Sequence, residues 1–260
     1  MGAPRCVRIR SRTLKSFGVS VEGNEPIVGQ RLEQVIIEDA PLLQRLFLRH
    51  AEDGLSVRVS GAPKLEFLGS LTSGITKLEL GTTVFKEMVA VNVTTVVRTV
   101  KILVLRMSPP SVDDAIGLVK CFPCVEKLYI LIFLNKKSRR VLHHHSHDYM
   151  ECLDLHLKKL VLINYRGFTR DAEFAKFFLL NARVLEVLEC TTCCRKCDAE
   201  WISQQRSKVQ LERRASQDVR FVMARASYVS DHIHIRHIHD LTFDDPFDNS
   251  SCRCKTIEYL

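Results

Sequence analysis

No apolar run in this chain is long enough to cross a bilayer. The longest, Leu128 to Leu134, falls far short of the roughly 20 residues a spanning helix needs. A secretory signal is absent as well: Met1 to Thr13 carries Arg5, Arg8, Arg10 and Arg12 but no apolar stretch behind them. Gly2 does not mark a myristoylation site, because Cys6 stands where that motif takes Ser or Thr. Aromatic rings other than Phe are few, with one Trp and five Tyr beside thirteen Phe in 260 residues. There is no Gly-rich phosphate loop, no nucleophile elbow and no His-Glu-x-x-His helix. The pairs Asp113-Asp114 and Asp244-Asp245 fit capping and turn chemistry better than acid–base work. Catalysis is not expected, and neither is a cofactor.

What is present describes an ordinary globular chain. Hydrophobic residues make up 46% and charged residues 26%, both near globular averages, which excludes a wholly disordered protein. The net charge is +8, but the basic residues are spread along the chain instead of forming a stripe. The two concentrations, Lys136, Lys137, Arg139, Arg140 and Arg206, Lys208, Arg213, Arg214, read as solvated faces, so neither nucleic acid nor membrane is expected as a partner. Ten Cys without a signal peptide point to a reducing compartment, cytoplasmic or nuclear, with mostly free thiols.

A repeat organises the chain. The spacing Leu-x-x-Leu-x-Leu recurs at Leu43/Leu46/Leu48, Leu65/Leu68, Val100/Leu103/Leu105, Val125/Leu128/Ile130, Leu157/Leu160/Leu162 and Leu185/Leu188/Cys190. Ile75/Leu78/Leu80 is a partial copy and Leu14/Phe17/Val19 a weaker one. First positions 43, 65, 75, 100, 125, 157 and 185 step by 22, 10, 25, 25, 32 and 28 residues. Apart from the step of 10, which suggests two adjacent short strands, these lie near the range of about 20 to 29 residues of leucine-rich repeats.

The spacing has a direct physical meaning. Alternate residues of a strand share one face, so the second and third apolar positions enter the core together. Each unit can bury that face only against its neighbours, which predicts a stacked solenoid of parallel strands. Helical returns are expected after Ser111, spaced to Asp114 as a cap, and after Asp171, an N-cap before Phe174, Phe177 and Phe178. The fold class expected is therefore α/β, an irregular leucine-rich-repeat solenoid with return helices and an α/β C-terminal segment. The boundaries read as a tail over 1–12, repeats over 13–150 with a mobile inserted loop at 134–150, a continuation over 151–248 and a tail over 249–260. A helix is expected from Asp198 to Ala215, a strand from Val219 to Tyr228, and a strand through the alternating His232 to His239.

The sharpest metal candidates are Cys190, Cys193, Cys194 and Cys197. Two Cys-x-x-Cys pairs can each supply half of a tetrahedral thiolate site, but they are too close together to share one ion in the usual way. Cys190 also occupies a core position of the repeat. The clusters His143–His145 with His147, and His232, His234, His237 and His239, fit solvated segments. No metal site is expected. A zinc- or nucleic-acid-binding regulator using these Cys and His clusters is the alternative function.

From Cys152 to Leu160, then Asn164-Tyr165-Arg166-Gly167, Phe174-Ala175-Lys176-Phe177 and Asn181 to Glu186, the chain resembles a plant FBD domain. The resemblance continues through Trp201-Ile202, Gln205-Arg206, Leu211 to Ser216 and Asp245-Pro246-Phe247. The irregular repeats upstream resemble the leucine-rich region of plant F-box/LRR/FBD proteins, so that Thr13 to Asp248 is covered. The resemblance implies a non-catalytic protein-interaction module, the substrate-recognition part of an SCF-type ubiquitin ligase, with an unknown target protein as partner. In that family an F-box docks a Skp1-type adaptor. About a dozen residues precede the first repeat here, so an F-box is not expected in this sequence and adaptor docking is not carried over.

Overall fold

A computed structural model describes residues 5–20, 32–49, 54–87, 89–90, 96–133, 149–192, 198–225 and 235–247. Its strands are β1 (Cys6–Arg10), β2 (Ser16–Ser20), β3 (Gln34–Glu38), β4 (Arg45–Arg49), β5 (Leu55–Val59), β6 (Phe67–Thr72) and β7 (Ile75–Leu80). They continue as β8 (Thr83–Lys86), β9 (Val89–Ala90), β10 (Ile102–Met107), β11 (Lys127–Ile132), β12 (Lys159–Ile163), β13 (Val187–Thr192) and β14 (Arg220–Arg225). The helices are α1 (Val112–Val119), α2 (Thr169–Asn181), α3 (Ala199–Lys208) and the short α4 (Ile235–His239), with a π-helical turn at Cys152–His156.

Every full copy of the repeat starts a strand of one sheet, ordered β14-β13-β12-β11-β10-β6-β4-β2 and parallel throughout. Register pairs the second repeat position across it: Phe17, Leu46, Leu68, Leu103, Leu128, Leu160, Leu188 and Phe221 form one ladder. The first positions Leu43, Leu65, Val100, Val125, Leu157 and Leu185 pack below it, 0 to 3% exposed. Because a one-residue slip would turn the whole ladder outward, this apolar series specifies the register.

Two kinds of return cover the ladder. In the C-terminal half, helices do so, as expected. Ser111 caps α1 by accepting from the Asp114 N–H at 3.3 Å, and Asp198 caps α3 by accepting from the Trp201 N–H at 2.8 Å. In the N-terminal half, where the sequence placed no particular return helix, the returns are strands. β1, β3, β5, β7, β8 and β9 form a second sheet in that order. Segments such as Gln34–Glu38 and Leu55–Val59 are short and rich in β-branched residues, which suits a strand and is too little for a stable helix. Val35, Ile37, Val57, Leu78 and Phe85 of this sheet join Leu46, Leu68 and Leu103 in one core.

Four readings change. Ile75/Leu78/Leu80 is not a strand beside β6; it is β7 in the opposite sheet, facing the same core. Within the stretch read as an N-terminal tail, Cys6–Arg10 pairs with β3 as an edge strand, its Val7 and Ile9 half-buried between exposed neighbours. Asp171 lies inside α2, three residues past the N-cap Phe168, and reaches back to accept from the N–H groups of Arg166 and Phe168. Residues 235–239 form a helix and not a strand, because tertiary contacts of His237 and Ile238 override the local alternation. Of the inserted loop at 134–150, residues 134–148 lie outside the described residues.

Gly69 of β6 shows how close the strands come. A Cβ there would meet Cβ and Cγ2 of Val104 at 2.7 Å, and Val104 is fully buried. Gly69→Ala is expected to lower stability by about 1–3 kcal/mol through overpacking, read as a lower urea midpoint with unchanged slope.

Candidate interaction surface

Residues that alternate with the ladder point to the outer face of the eight-stranded sheet. Arg45 and Phe47 of β4, Phe67 of β6, Ile102 and Val104 of β10, Tyr129 of β11, and Val161 and Ile163 of β12 all lie there. The seven other than Arg45 form a second apolar cluster together with Ile238. A sheet greasy on both faces needs a cover on each, and part of the outer cover is the chain's own C-terminal segment, residues 235–247.

Arg45 fastens it. Its guanidinium, 7% exposed, donates from Nη1 to the carbonyls of His237 (2.9 Å), Ile238 (3.5 Å) and Asp240 (3.0 Å), and from Nη2 to that of Phe243. Burial lowers the Arg45 pKa, while Asp245, Asp240 and Asp244 oppose the shift; arginine remains charged at any ordinary pH. Further along, Asp245 accepts from Lys127 Nζ at 2.9 Å and from the Tyr129 hydroxyl at 2.6 Å. Phe247 stacks on Tyr129 with ring centroids 4.1 Å apart. At the other end Ser16 and His239 pair at 2.9 Å. The segment thus straps the outer face from β2 to β11.

Beyond the strap, the C-terminal ends of β10, β11 and β12 frame a pocket of about 340 Å³. Pro109 and Pro110 follow β10, Ile132 and Phe133 close β11, and Arg166 and Phe168 to Asp171 lead from β12 into α2. The floor is apolar and the rim basic. Arg106 stacks on Phe133 at 3.9 Å, Arg166 is half-buried, and Phe168 is 56% exposed. Asp171 adds little negative charge to the rim, since its carboxylate is buried and turned toward backbone N–H groups. Burial raises its pKa, against those hydrogen bonds and the charge of Arg166.

The motif Asn164-Tyr165-Arg166-Gly167 builds this wall. Asn164 sits at φ 65° and donates from Nδ2 to the Ile132 carbonyl at 3.4 Å. Tyr165 is fully buried and donates to Gln205 Oε1 at 3.0 Å; burial raises its hydroxyl pKa. Gly167, at φ 74°, brings the backbone so near α3 that a Cβ would stand 2.8 Å from Gln205 and 2.9 Å from Trp201. Lys208 donates to the Gly167 carbonyl at 3.1 Å. Residues far apart in sequence, Asn164 to Gly167 against Trp201, Gln205 and Lys208, are one structural lock.

Of the sequence candidates for metal, Cys190 is fully buried in the main core, where burial raises its thiol pKa and disfavours the thiolate a metal needs. Cys193, Cys194 and Cys197 lie outside the described residues, as do His143–His145, His147, His232 and His234. His237 is buried and stacks on Phe243 at 4.7 Å. Of the residues that fasten the strap, Arg45, Lys127 and Tyr129 were not singled out from the sequence, and Asp245 was read there only as turn chemistry and as part of the Asp245-Pro246-Phe247 resemblance. The available signal was charged or hydroxyl-bearing residues at outer-face positions of otherwise apolar strands.

Parallel strands in a shared ladder, returns on one side and a part-covered face on the other define a leucine-rich-repeat class of interaction protein. A family model described as FBD-associated F-box protein At5g56370, LRR repeats, matches residues 1–130, and a model of the FBD family matches residues 146–189. The chain belongs to the FBD-associated F-box protein LRR-repeat family. No curated protein and no solved structure matches it. No helix among the described residues is long and apolar enough to cross a membrane.

Arg45→Met is expected to loosen the strap, since hydrogen bonds to a charged donor contribute about 1.5–3 kcal/mol each. Hydrogen exchange should accelerate across 235–247 while β12 and β13 stay protected.

Proposed function

We propose that this chain is the target-recognition part of an F-box/LRR/FBD-type ubiquitin ligase subunit, working without catalytic residues of its own in the cytoplasm or nucleus of a plant cell. Residues 13–150 serve as the repeat region and 151–248 as its FBD-like continuation, one stacked solenoid presenting a common surface. The observation that carries this reading is the pocket at the ends of β10, β11 and β12. Its lining of Pro109, Phe133, Arg166 and Phe168 is of the Arg- and aromatic-rich kind that dominates binding energy at protein interfaces. The apolar floor and basic rim suit a peptide with an apolar side chain flanked by acidic ones. Family membership supports an interaction role, and ubiquitin transfer to the bound target is then the work of the assembled ligase.

The test is quantitative affinity capture of the whole chain from plant cells, beside Arg166→Glu/Phe168→Ala. Targets are expected to fall by about tenfold or more in the double variant, the loss of one or two interface anchors, while any Skp1-type adaptor or cullin captured is expected to be the same with both chains. Capture unchanged by the substitutions would remove the pocket from recognition. Targets without adaptor or cullin would remove the ligase assignment and leave a binding module.

A further inference from the structure

Cys124 and His156 occupy the same place in consecutive repeats, each directly before the first apolar position, Val125 and Leu157. The register of β11 on β12 pairs Lys127 with Lys159 and Leu128 with Leu160, so these two repeats stack in phase. One strand spacing, about 4.8 Å, then separates equivalent backbone positions, and the thiol and imidazole become neighbours.

Glu151 joins them through the π-helical turn. Glu151 precedes that turn and His156 ends it, and the Leu157 N–H bonds the Cys152 carbonyl at 2.8 Å, an i→i+5 closure. On an α-helix residues five apart would point about 140° away from each other. The wider turn brings them to one side, as such turns often do at functional sites. His156 Nε2 stands 3.9 Å from Glu151 Oε1. The donor atoms of Cys124, Glu151 and His156 all lie within 4.8 Å of one another, and all three residues are half-buried.

A cation already sits in this group. Arg98 donates to Glu151 from Nη1 at 2.7 Å and from Nη2 at 3.1 Å, and Nη1 stands 4.0 Å from Cys124 Sγ. The same pairing holds the Glu151 carboxyl below its ordinary pKa. The Arg98 side chain is 57% exposed, so it can leave toward solvent.

We propose that Cys124, Glu151 and His156 form a binding site for a zinc-class divalent ion, with Arg98 as the resident cation that the metal displaces. One sulfur, one imidazole nitrogen and one carboxylate oxygen are the donor set such borderline ions take, and three protein ligands leave a fourth position open to water or to a partner's side chain. Zinc bond lengths put tetrahedral donors roughly 3.3–3.6 Å apart, so the three groups close in by on the order of 1 Å. Binding takes the thiol proton, which passes to solvent. Thiolate and carboxylate together neutralise the ion, which releases Arg98 from Glu151.

The test is the alkylation rate of Cys124 in the full-length chain, followed by peptide mapping with and without zinc(II). The residue-level readout is blind to zinc held elsewhere, such as at His143–His147. Exposed Cys6 serves as the unprotected control. Cys152, 2% exposed with its thiol pushed up to about 12 by burial, reports that each variant is folded. Zinc is expected to slow labelling of Cys124 by about tenfold or more, a typical scale for an occupied thiolate ligand, and magnesium to leave it unchanged. Glu151→Gln and His156→Ala should lose the protection with Cys152 still inert. Arg98→Ala should reach half-protection at a lower zinc concentration, a gain that no folding defect mimics. Labelling indifferent to zinc, protection that survives His156→Ala, or equal protection by magnesium would overturn the proposal.

Discussion

The structure depends on a single registered ladder. Phe17, Leu46, Leu68, Leu103, Leu128, Leu160, Leu188 and Phe221 lie side by side across eight parallel strands. No repeat can bury its Leu residues alone, so each strand holds its neighbour in phase as the price of its own burial. The same phase-locking aligns every other repeat position, polar ones included. Cys124 and His156 meet because Leu128 and Leu160 do.

What covers the ladder is less constrained than the ladder itself. Strands serve in the N-terminal half and helices in the C-terminal half, and both present apolar residues to one continuous core. An inner layer needs an apolar face with a period that can match the sheet, and β-branched segments and amphipathic helices both provide one. This tolerance explains how irregular steps between repeats coexist with a regular sheet.

The outer face obeys a different rule. Phe47, Phe67, Val104 and Tyr129 would leave a wet apolar patch, and the C-terminal segment covers them with Ile238 and Phe247. Arg45 makes that cover specific. A buried guanidinium must spend its donors, and the carbonyls of His237, Ile238, Asp240 and Phe243 answer it. Beyond the strap lies the basic-rimmed pocket at the end of β11, its wall held by the lock of Tyr165, Gly167 and Gln205.

Much of this was legible in one dimension. Because periodicity and capping are local, the repeat spacing determined which residues are inward and that the strands of the main sheet run parallel, apart from the copy at Ile75 that joins the opposite sheet. Capping residues determined the caps at Ser111 and Asp198. The choice of strand or helix for the returns over 32–90 was not, since short apolar segments satisfy either until packing decides. Nor was the helix at 235–239, where alternating His and Ile suggested a strand and contacts with Arg45 prevailed. The strap, the pocket, and the meeting of Cys124, Glu151 and His156 were decided by tertiary structure alone. Each joins side chains from different repeats, and only the stacking of one repeat on the next sets the distance between them.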